Sequence, residues 1–392
     1  MSTDRDKGVT GPAGFTAAGI AAGIKESGNL DLALVVNEGP SDAAAGVFTT
    51  NKVKAAPVLW SQQVLKERRL RAVVLNSGGA NACTGPEGFQ DTHATAEKVA
   101  GVLACGAIEV AVCSTGLIGE RLPMAALLSG VDAAGTALAS DIEAGLNAAT
   151  AVLTTDSRPK QAWKAHEQGW SIGGFVKGAG MLAPNLATML SVITTDADID
   201  RDTLDAALRK VTARTFDCLD VDGGTSTNDT VLLLASGASG TRPTEEEFVA
   251  LLTEVSWDLV RQLQGDAEGV TKEIFVTVRG AASVADAMQV GRIIAEDNLV
   301  KTALFGSDPN WGRIAMALGR APVDLDPDLL SIVINEIRVM DKGTRGEDRA
   351  NADLSGREIT IVVELGLGDG EATILTTDLS HAYVEENSAY SS

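Results

Sequence analysis

Short apolar runs alternate with helix-like segments along this chain, and this alternation limits the fold more than any other feature of the sequence. Several of the runs are β-branched and unbroken by Gly or Pro, which is typical of strands. The predicted strands are 30–37, 44–50, 71–76, 108–113, 188–194, 230–236, 273–278, 331–339, 358–365 and 371–377. The predicted helices are 89–104, 140–152, 201–214, 244–264 and 281–297, the fourth opening on a Thr244–Glu247 capping box. The mixture predicts an α/β protein in which helices cover sheets.

The length of 392 residues favours two domains, because single hydrophobic cores stop growing at about 250–300 residues. We predict a first domain over 1–280 and a second over 281–392, with the boundary after "VTVRG". No low-complexity linker marks this boundary.

Composition excludes several classes of partner. The net charge of −21 argues against nucleic acid and against anionic membranes. No apolar run of about 18 residues is present to span a bilayer, and "MSTDRDKGVTGPAG" lacks the apolar core of a signal peptide. The four cysteines form no CxxC pair, which fits a reducing compartment. We therefore expect a cytoplasmic protein.

The common catalytic arrangements are poorly supported by the sequence. It has three histidines, no GxSxG elbow, no GxGxxG after a strand and no cluster of metal-ligating residues. The glycines of "KGAGMLAPN" follow Lys177, whereas the lysine of a phosphate-binding P-loop comes after its glycines. We expect neither a metal nor a cofactor.

A different kind of nucleophile fits the stretch "KGAGMLAPNLATMLSVITTDA", where a Gly- and Pro-rich loop becomes an apolar strand at Ala187–Thr188. If the bond before Thr188 is cut, its new α-amine, with an ordinary pKa near 7.7–8.0, can take the proton of its own hydroxyl. This device needs no histidine. The alternative is an ordinary threonine that opens a strand, and the spacing alone favours it.

Several motifs, in order along the chain, resemble those of the ArgJ family of glutamate N-acetyltransferases (ornithine acetyltransferases). They are "NSGGANACTG" (76–85), "CSTGLIGERLP" (113–123), "VLTTDSRPK" (152–160), "KGAGMLAPNLATML" (177–190), "GDAEGVTK" (265–272), "GSDPNWGRI" (306–314) and "EENSAYSS" (385–392). The resemblance implies a layered αββα sandwich with a smaller C-terminal α/β domain. It also implies self-cleavage between Ala187 and Thr188, with the two chains remaining together in an α2β2 heterotetramer.

The resemblance assigns roles to individual residues. Thr188 is then the nucleophile, and Thr115 with Gly116 forms the oxyanion hole, whose donors stabilise the negative charge on the attacked carbonyl oxygen. The alternative for "STG" is a plain turn at the end of a strand. The implied substrate-binding residues are Thr154, Lys177, Thr188, Glu268, Asn387 and Ser392.

The charges of Lys177 and Glu268 suit an amino-acid substrate. The alternatives are a surface lysine and a solvated carboxylate at a helix end. Asn387 and Ser392 lie at the chain end, which is usually disordered, so we expect the tail to return to the site. Gly79 and Ala267 depart from the residues we expect in many family members, and the chain ends in Ser392 where we expect Thr.

The resulting functional prediction is a transfer of acetyl from N-acetylornithine to glutamate by a ping-pong route, without an external cofactor. Some family members also use acetyl-CoA as the donor, and no site for it is located. The alternatives are a self-processing aminopeptidase of the related DmpA type and a non-catalytic binding protein.

Overall fold

A computed structural model describes residues 3–182 and 189–389 of the chain. The described residues form two compact units. Of these residues, the first unit contains 3–179, 189–216 and 225–263, and the second contains 180–182, 217–224 and 264–389. The division into domains 1–280 and 281–392 remains a prediction. In the structure, residues 264–280 belong to the second compact unit.

The first unit contains two sheets. The four-stranded sheet has the order β1-β2-β4-β5, with β1 (Phe15–Ile20), β2 (Leu32–Asn37), β4 (Ala72–Ser77) and β5 (Val110–Thr115). The five-stranded sheet has the order β3-β9-β8-β7-β6, with β3 (Ala43–Phe48), β6 (Lys160–Ala165), β7 (Ser171–Lys177), β8 (Leu190–Thr195) and β9 (Thr230–Ala235). The helices of this region are α1 (Ala56–Val64), α2 (Gly85–Leu103), α3 (Met124–Thr136), α4 (Ile142–Ala151), α5 (Arg201–Thr212) and α6 (Glu245–Gly265).

Several strands of the two sheets in this unit are completely buried. Every residue of β2, β4, β5, β8 and β9 is buried, which explains why these strands read as continuous apolar runs instead of alternating ones. One core cluster combines side chains of both sheets, including Leu34 and Val74 from one and Phe175, Val192 and Leu232 from the other. The predicted layered α/β sandwich is confirmed.

The second unit is built on a six-stranded sheet. Its order is β13-β12-β11-β14-β10-β15, with β10 (Glu273–Ala281), β11 (Ser331–Ile334), β12 (Ile337–Asp341), β13 (Thr344–Arg345), β14 (Glu358–Glu364) and β15 (Gly370–Thr377). Its helices are α7 (Val284–Glu296), α8 (Asn298–Phe305), α9 (Trp311–Leu318) and α10 (His381–Ala389). This unit has its own apolar core, to which Ile274, Val290 and Ile361 contribute.

One predicted strand is wrong in detail. The run 331–339 is two antiparallel strands, β11 and β12, joined at Asn335 and Glu336. Both residues have positive φ, 43° and 71°, as a tight hairpin turn with two left-handed positions requires. The Thr244–Glu247 capping box is confirmed, since the Glu247 N–H donates to Thr244 Oγ1 at 3.2 Å and the Thr244 N–H to Glu247 Oε2 at 2.9 Å.

Candidate active site

The predicted cleavage point lies in the connection between β7 and β8, two neighbouring strands of the five-stranded sheet. Ala187 and Thr188 lie outside the described residues, and the first described residue after them, Met189, is fully buried. Strand β8 begins at Leu190, which pairs with Lys177 at the end of β7. The chain therefore enters a buried strand directly after the predicted nucleophile.

Lys177 is the centre of a buried polar cluster at the end of β7. Only 1% of its side chain is exposed, and its ammonium donates hydrogen bonds to Thr154 Oγ1 at 2.8 Å and to Thr115 Oγ1 at 3.2 Å. An ammonium can only donate, so both hydroxyls accept here and each keeps its own hydrogen for another acceptor. The alternative of a surface lysine is wrong. The structure brings together three of the predicted site residues in this cluster.

Thr115 is the last residue of β5, and Gly116 makes the turn that follows it. The Gly79 N–H donates to the Thr115 carbonyl at 3.0 Å, which brings the "NSGG" loop against this turn. Gly116 has a φ of +132°, and a Cβ there would lie 2.5 Å from the Gly79 nitrogen. Glycine is therefore required at 116 both by conformation and by space. Thr115 and Gly116, the two predicted oxyanion-hole residues, are consecutive at the end of a strand. A plain turn at a strand end would also place them there. The additional observation is that the Thr115 hydroxyl accepts a hydrogen bond from the Lys177 ammonium.

Asp156 and Lys160 belong to the same cluster and were missed by the sequence reasoning, although both lie in the quoted motif "VLTTDSRPK". The Asp156 carboxylate is fully buried, 2.7 Å from the Lys160 ammonium and 3.7 Å from that of Lys177. It also accepts from the Gly178 N–H at 2.6 Å and the Thr154 N–H at 3.2 Å. Burial alone would raise the pKa of Asp156, but the charges of Lys177 and Lys160 outweigh it and lower the pKa to about 2. A single carboxylate thus orients two buried lysines.

Glu268 and Asn387 meet within the second unit. Asn387 Nδ2, on α10, donates to Glu268 Oε2 at 2.9 Å and to the carbonyl of Tyr383 at 3.0 Å. Gly180 lies against the same carboxylate, because a Cβ built there would collide with the Glu268 carboxyl group. Two of the predicted substrate-binding residues, Glu268 and Asn387, are therefore joined by a hydrogen bond. A third, Ser392, lies outside the described residues.

A second aspartate that the sequence reasoning missed holds the segment before the cleavage point. Asp222 accepts from the Met181 N–H at 2.7 Å and from the Leu182 N–H at 2.9 Å. Burial raises the pKa of this carboxyl group above its ordinary value. Only the pattern "DVDGG", a run of acidic and glycine residues in a turn, could have indicated a role for it.

Two features are absent from the part of the chain that the structure describes. Residues 3–182 and 189–389 contain no group of three or more His, Cys, Asp or Glu side chains that could hold a metal ion. Among the helices in the same residues, none is long and apolar enough to cross a membrane.

Comparison with known proteins identifies the chain's relatives. A family model described as "ArgJ family" matches residues 16–392. The arginine biosynthesis bifunctional protein ArgJ of Mycolicibacterium paratuberculosis is 62% identical over 393 residues, covering 99% of this chain and 97% of the relative. The protein of the same name from Streptomyces avermitilis is 60% identical over 384 residues, covering 98% and 100%.

A solved structure is also similar in sequence. It is the ornithine acetyltransferase of Mycobacterium tuberculosis complexed with ornithine, 62% identical, with a TM-score of 0.46 over 48% of this chain and 98% of that chain. The family model and the arginine biosynthesis bifunctional relatives, at least 60% identical over nearly the whole chain, show the class of protein to be an acyltransferase of arginine biosynthesis, as predicted. Within that class, the chain belongs to the ArgJ family.

Proposed function

We propose that the chain cuts itself between Ala187 and Thr188 and then transfers acetyl from N-acetylornithine to glutamate through an acetyl ester on Thr188. The observation that carries this proposal is the buried cluster of Lys177 with Thr115 and Thr154. Lys177 pairs with Leu190, and Leu190 lies two residues after the proposed nucleophile Thr188. Two hydroxyls are thus fixed by one cation beside the start of β8, where donors for a developing oxyanion are required.

The proposed first half-reaction follows from these groups. The Thr188 Oγ attacks the acetyl carbonyl carbon while the α-amine of Thr188 takes the hydroxyl proton. The Thr115 hydroxyl and the Gly116 N–H donate to the oxygen as it becomes negative. The amide C–N bond then breaks, the leaving nitrogen takes the proton from the α-amine, and ornithine departs.

The second half-reaction reverses these steps with glutamate. The glutamate amine attacks the ester carbon, the bond from that carbon to Oγ breaks, and the proton lost by the amine returns to Thr188. The route needs no cofactor. Glu268 with Asn387 supplies an anionic group suited to the ammonium of an amino-acid substrate, and Ser392 belongs to the same predicted set.

The proposal extends to assembly and location. The α chain (1–187) and the β chain (188–392) stay together as an α2β2 heterotetramer in the cytoplasm. The relatives are called bifunctional, and acetyl-CoA offered in place of N-acetylornithine tests whether this chain accepts a second donor.

Intact-mass measurement tests the covalent intermediate. The purified protein should show chains of 187 and 392 − 187 = 205 residues. Incubation with N-acetylornithine alone should add one acetyl group to the 205-residue chain, on Thr188, and added glutamate should remove it. Release of the acetyl group to water instead would identify a hydrolase of the DmpA type.

Two variants of Thr188 provide the matched pair. Thr188→Ala lacks the hydroxyl, so it should neither cut nor transfer, whereas Thr188→Ser keeps the hydroxyl and should do both more slowly. An uncut chain with full activity, or a label on another residue, would contradict the acyl-threonine mechanism.

A further inference from the structure

Lys25 is a partly buried cation of the first unit that the proposed reaction does not use. Its ammonium donates hydrogen bonds to the Leu153 carbonyl at 2.6 Å and to the Leu30 carbonyl at 3.3 Å. An ammonium has three N–H donors, so one donor of Lys25 remains without an acceptor among the described residues. Within the same residues, no carboxylate forms an ion pair with this ammonium.

Asp31 fixes the turn that carries Lys25. This aspartate is 0% exposed, and its Oδ1 accepts from the Ala22 N–H at 2.6 Å. Its Oδ2 accepts from the N–H groups of Ile24 at 2.6 Å and Lys25 at 2.9 Å. Three main-chain donors therefore engage the Asp31 carboxylate, which sets the position of the Lys25 main chain and leaves the ammonium to other groups.

The Lys25 side chain lies against two loops of the candidate site. Leu153, whose carbonyl accepts from the ammonium, directly precedes Thr154 of the buried cluster. The side chain also contacts the loop after β4, because a Cβ built at Gly78 would lie 3.3 Å from Lys25 Cγ. The next N–H of that loop donates to the Thr115 carbonyl at 3.0 Å. Lys25 therefore stands beside both the oxyanion turn and Thr154.

Accessibility distinguishes Lys25 from the other lysines of this region. The side chains of Lys177 and Lys160 are 1% and 0% exposed, and the Asp156 carboxylate lies 3.7 Å from the first ammonium and 2.7 Å from the second. Lys25 is only partly buried. Of these cations, Lys25 is the one that can bind an anion from solvent without being drawn away from an internal carboxylate.

We propose that Lys25 is a further substrate-binding residue, and that its third donor binds the α-carboxylate of N-acetylornithine and, in the second half-reaction, that of glutamate. This inference rests on the proposed function. In both substrates the α-carboxylate is bonded to the carbon that bears the reacting nitrogen. A cation for this carboxylate must therefore lie close to the groups that stabilise the oxyanion, as Lys25 does, and one cation can serve both half-reactions because the substrates bind in turn.

The charges around Lys25 agree with an anionic ligand. Burial lowers the pKa of its ammonium; the charge of Asp31 opposes this effect, that of Lys177 adds to it, and that of Asp156 opposes it. The sum leaves the pKa below its ordinary value, so the surroundings supply less negative charge than the ammonium would gain from a close partner. A bound carboxylate stabilises the charged form and opposes the effect of burial.

Ornithine and 1,4-diaminobutane test the proposal, because they differ only in the α-carboxylate. In calorimetric titrations the wild type should bind ornithine about 10–100-fold more tightly, as expected for a hydrogen bond between two charged groups. Lys25→Met keeps an unbranched side chain but lacks the charge, so it should bind the two ligands with similar affinity. A purely structural role would weaken both ligands alike, and a wild-type affinity ratio in Lys25→Met would overturn the inference.

Steady-state kinetics gives a second readout. The α-carboxylate carries the same charge in the bound substrate and in the transition state, so Lys25→Met should raise KM for N-acetylornithine and for glutamate by about 10–100-fold and leave kcat within about threefold. Lys25→Arg keeps the charge and should recover most of the lost affinity. A lower kcat with an unchanged KM would overturn the inference.

The control is Arg158→Met. Arg158 is an exposed cation of the same motif that contains Thr154, so this variant also removes one positive charge close by in sequence. It should keep the wild-type preference for ornithine over 1,4-diaminobutane. A loss of preference as large as that in Lys25→Met would assign the effect to the overall charge of the region and would overturn a specific role of Lys25.

A measurement on the wild type keeps the inference falsifiable even if Lys25→Met does not fold. In a crystal structure of the wild-type enzyme with ornithine, a carboxylate oxygen of the ligand should lie at hydrogen-bond distance from Lys25 Nζ. A carboxylate that points away from this nitrogen would overturn the inference. Failure of the proposed function looks different: a wild type that binds ornithine through Lys25 but takes no acetyl group from N-acetylornithine would contradict the transfer and support the carboxylate site.

Discussion

The two groups of candidate site residues differ in how the fold supports them. In the first unit, Lys177, Lys160 and Asp156 have side chains no more than 1% exposed, and they sit on or next to strands of a buried sheet. In the second unit, Asn387 lies on α10, a helix in which no residue is buried, and its partner Glu268 is only partly buried. The comparison indicates that the cluster next to the proposed oxyanion residue is buried within the fold, whereas Glu268 and Asn387 are held by a few exposed hydrogen bonds.

Replacing the buried lysines should give the largest effects. Lys177→Met and Lys160→Met each remove one partner of the buried Asp156 carboxylate, so each should lower the free energy of unfolding by about 3–5 kcal/mol in urea titrations. Among the described contacts, Lys177 donates to Thr115 and Thr154 whereas Lys160 is described only with Asp156, so Lys177→Met should lower kcat of the folded enzyme by at least about 10²-fold and Lys160→Met by much less. Equal losses of kcat in both variants would show that the cluster acts through stability alone.

The oxyanion residue should come next. Thr115→Ala removes a donor that acts on the transition state, so kcat should fall by about 10²–10³-fold with little change in KM. Thr115→Ser is the matched control, since it keeps the hydroxyl that accepts from Lys177, and it should retain most of kcat. Steady-state kinetics with N-acetylornithine and glutamate distinguishes the two, and a wild-type kcat for Thr115→Ala would remove Thr115 from this role.

Acid should weaken the buried cluster in a defined pH range. Asp156 has a lower pKa in the folded protein, about 2, than its ordinary 3.8, so its stabilising contribution is present above pH 3.8 and is lost as the pH falls through 2. The difference corresponds to about 2 kcal/mol. Unfolding free energies measured between pH 5 and pH 2 should therefore fall less steeply in Asp156→Asn than in the wild type, and identical slopes would contradict this account.

The exposed pair should give the smallest effect. Asn387→Ala removes one side-chain hydrogen bond to Glu268, worth about 1 kcal/mol, so KM for an amino-acid substrate should rise less than about tenfold. Ser388→Ala is the control, because the Ser388 hydroxyl bonds only the Glu385 carbonyl of its own helix among the described contacts. A fall in kcat of Asn387→Ala as large as that of Thr115→Ala would remove the distinction between the two groups.

Sequence reasoning predicted most of the buried strands, because a strand covered on both faces is a continuous apolar run, as in β4 and β9. It missed β7, whose interior Gly173 and Gly174 weaken the strand pattern. It also missed the strands β1, β6 and β13 and the helices α1, α3, α8, α9 and α10. It joined β11 to β12 because the hairpin residues Asn335 and Glu336 interrupt the run by only two positions.

The site was predictable only in part. Thr115, Thr154 and Lys177 were assigned through family resemblance, and the structure brings them together. Their partner Asp156 was not predicted, because a charged residue in a polar motif gives no sign that the fold will bury it. The hydrogen bond from the Met189 N–H to Asp229 Oδ1 was not predictable for a related reason: it depends on the parallel pairing of β8 with β9, which brings residues 40 apart in sequence into contact.

The pairing of β7 with β8 has a consequence for the molecularity of unfolding. The two strands stay in register from Lys177–Leu190 to Ile172–Thr195, on opposite sides of the proposed cut. After the cut they belong to different polypeptides, so unfolding becomes a dissociation and its thermal midpoint should rise with protein concentration. In uncut Thr188→Ala, these two strands remain parts of one polypeptide, and this source of concentration dependence is absent.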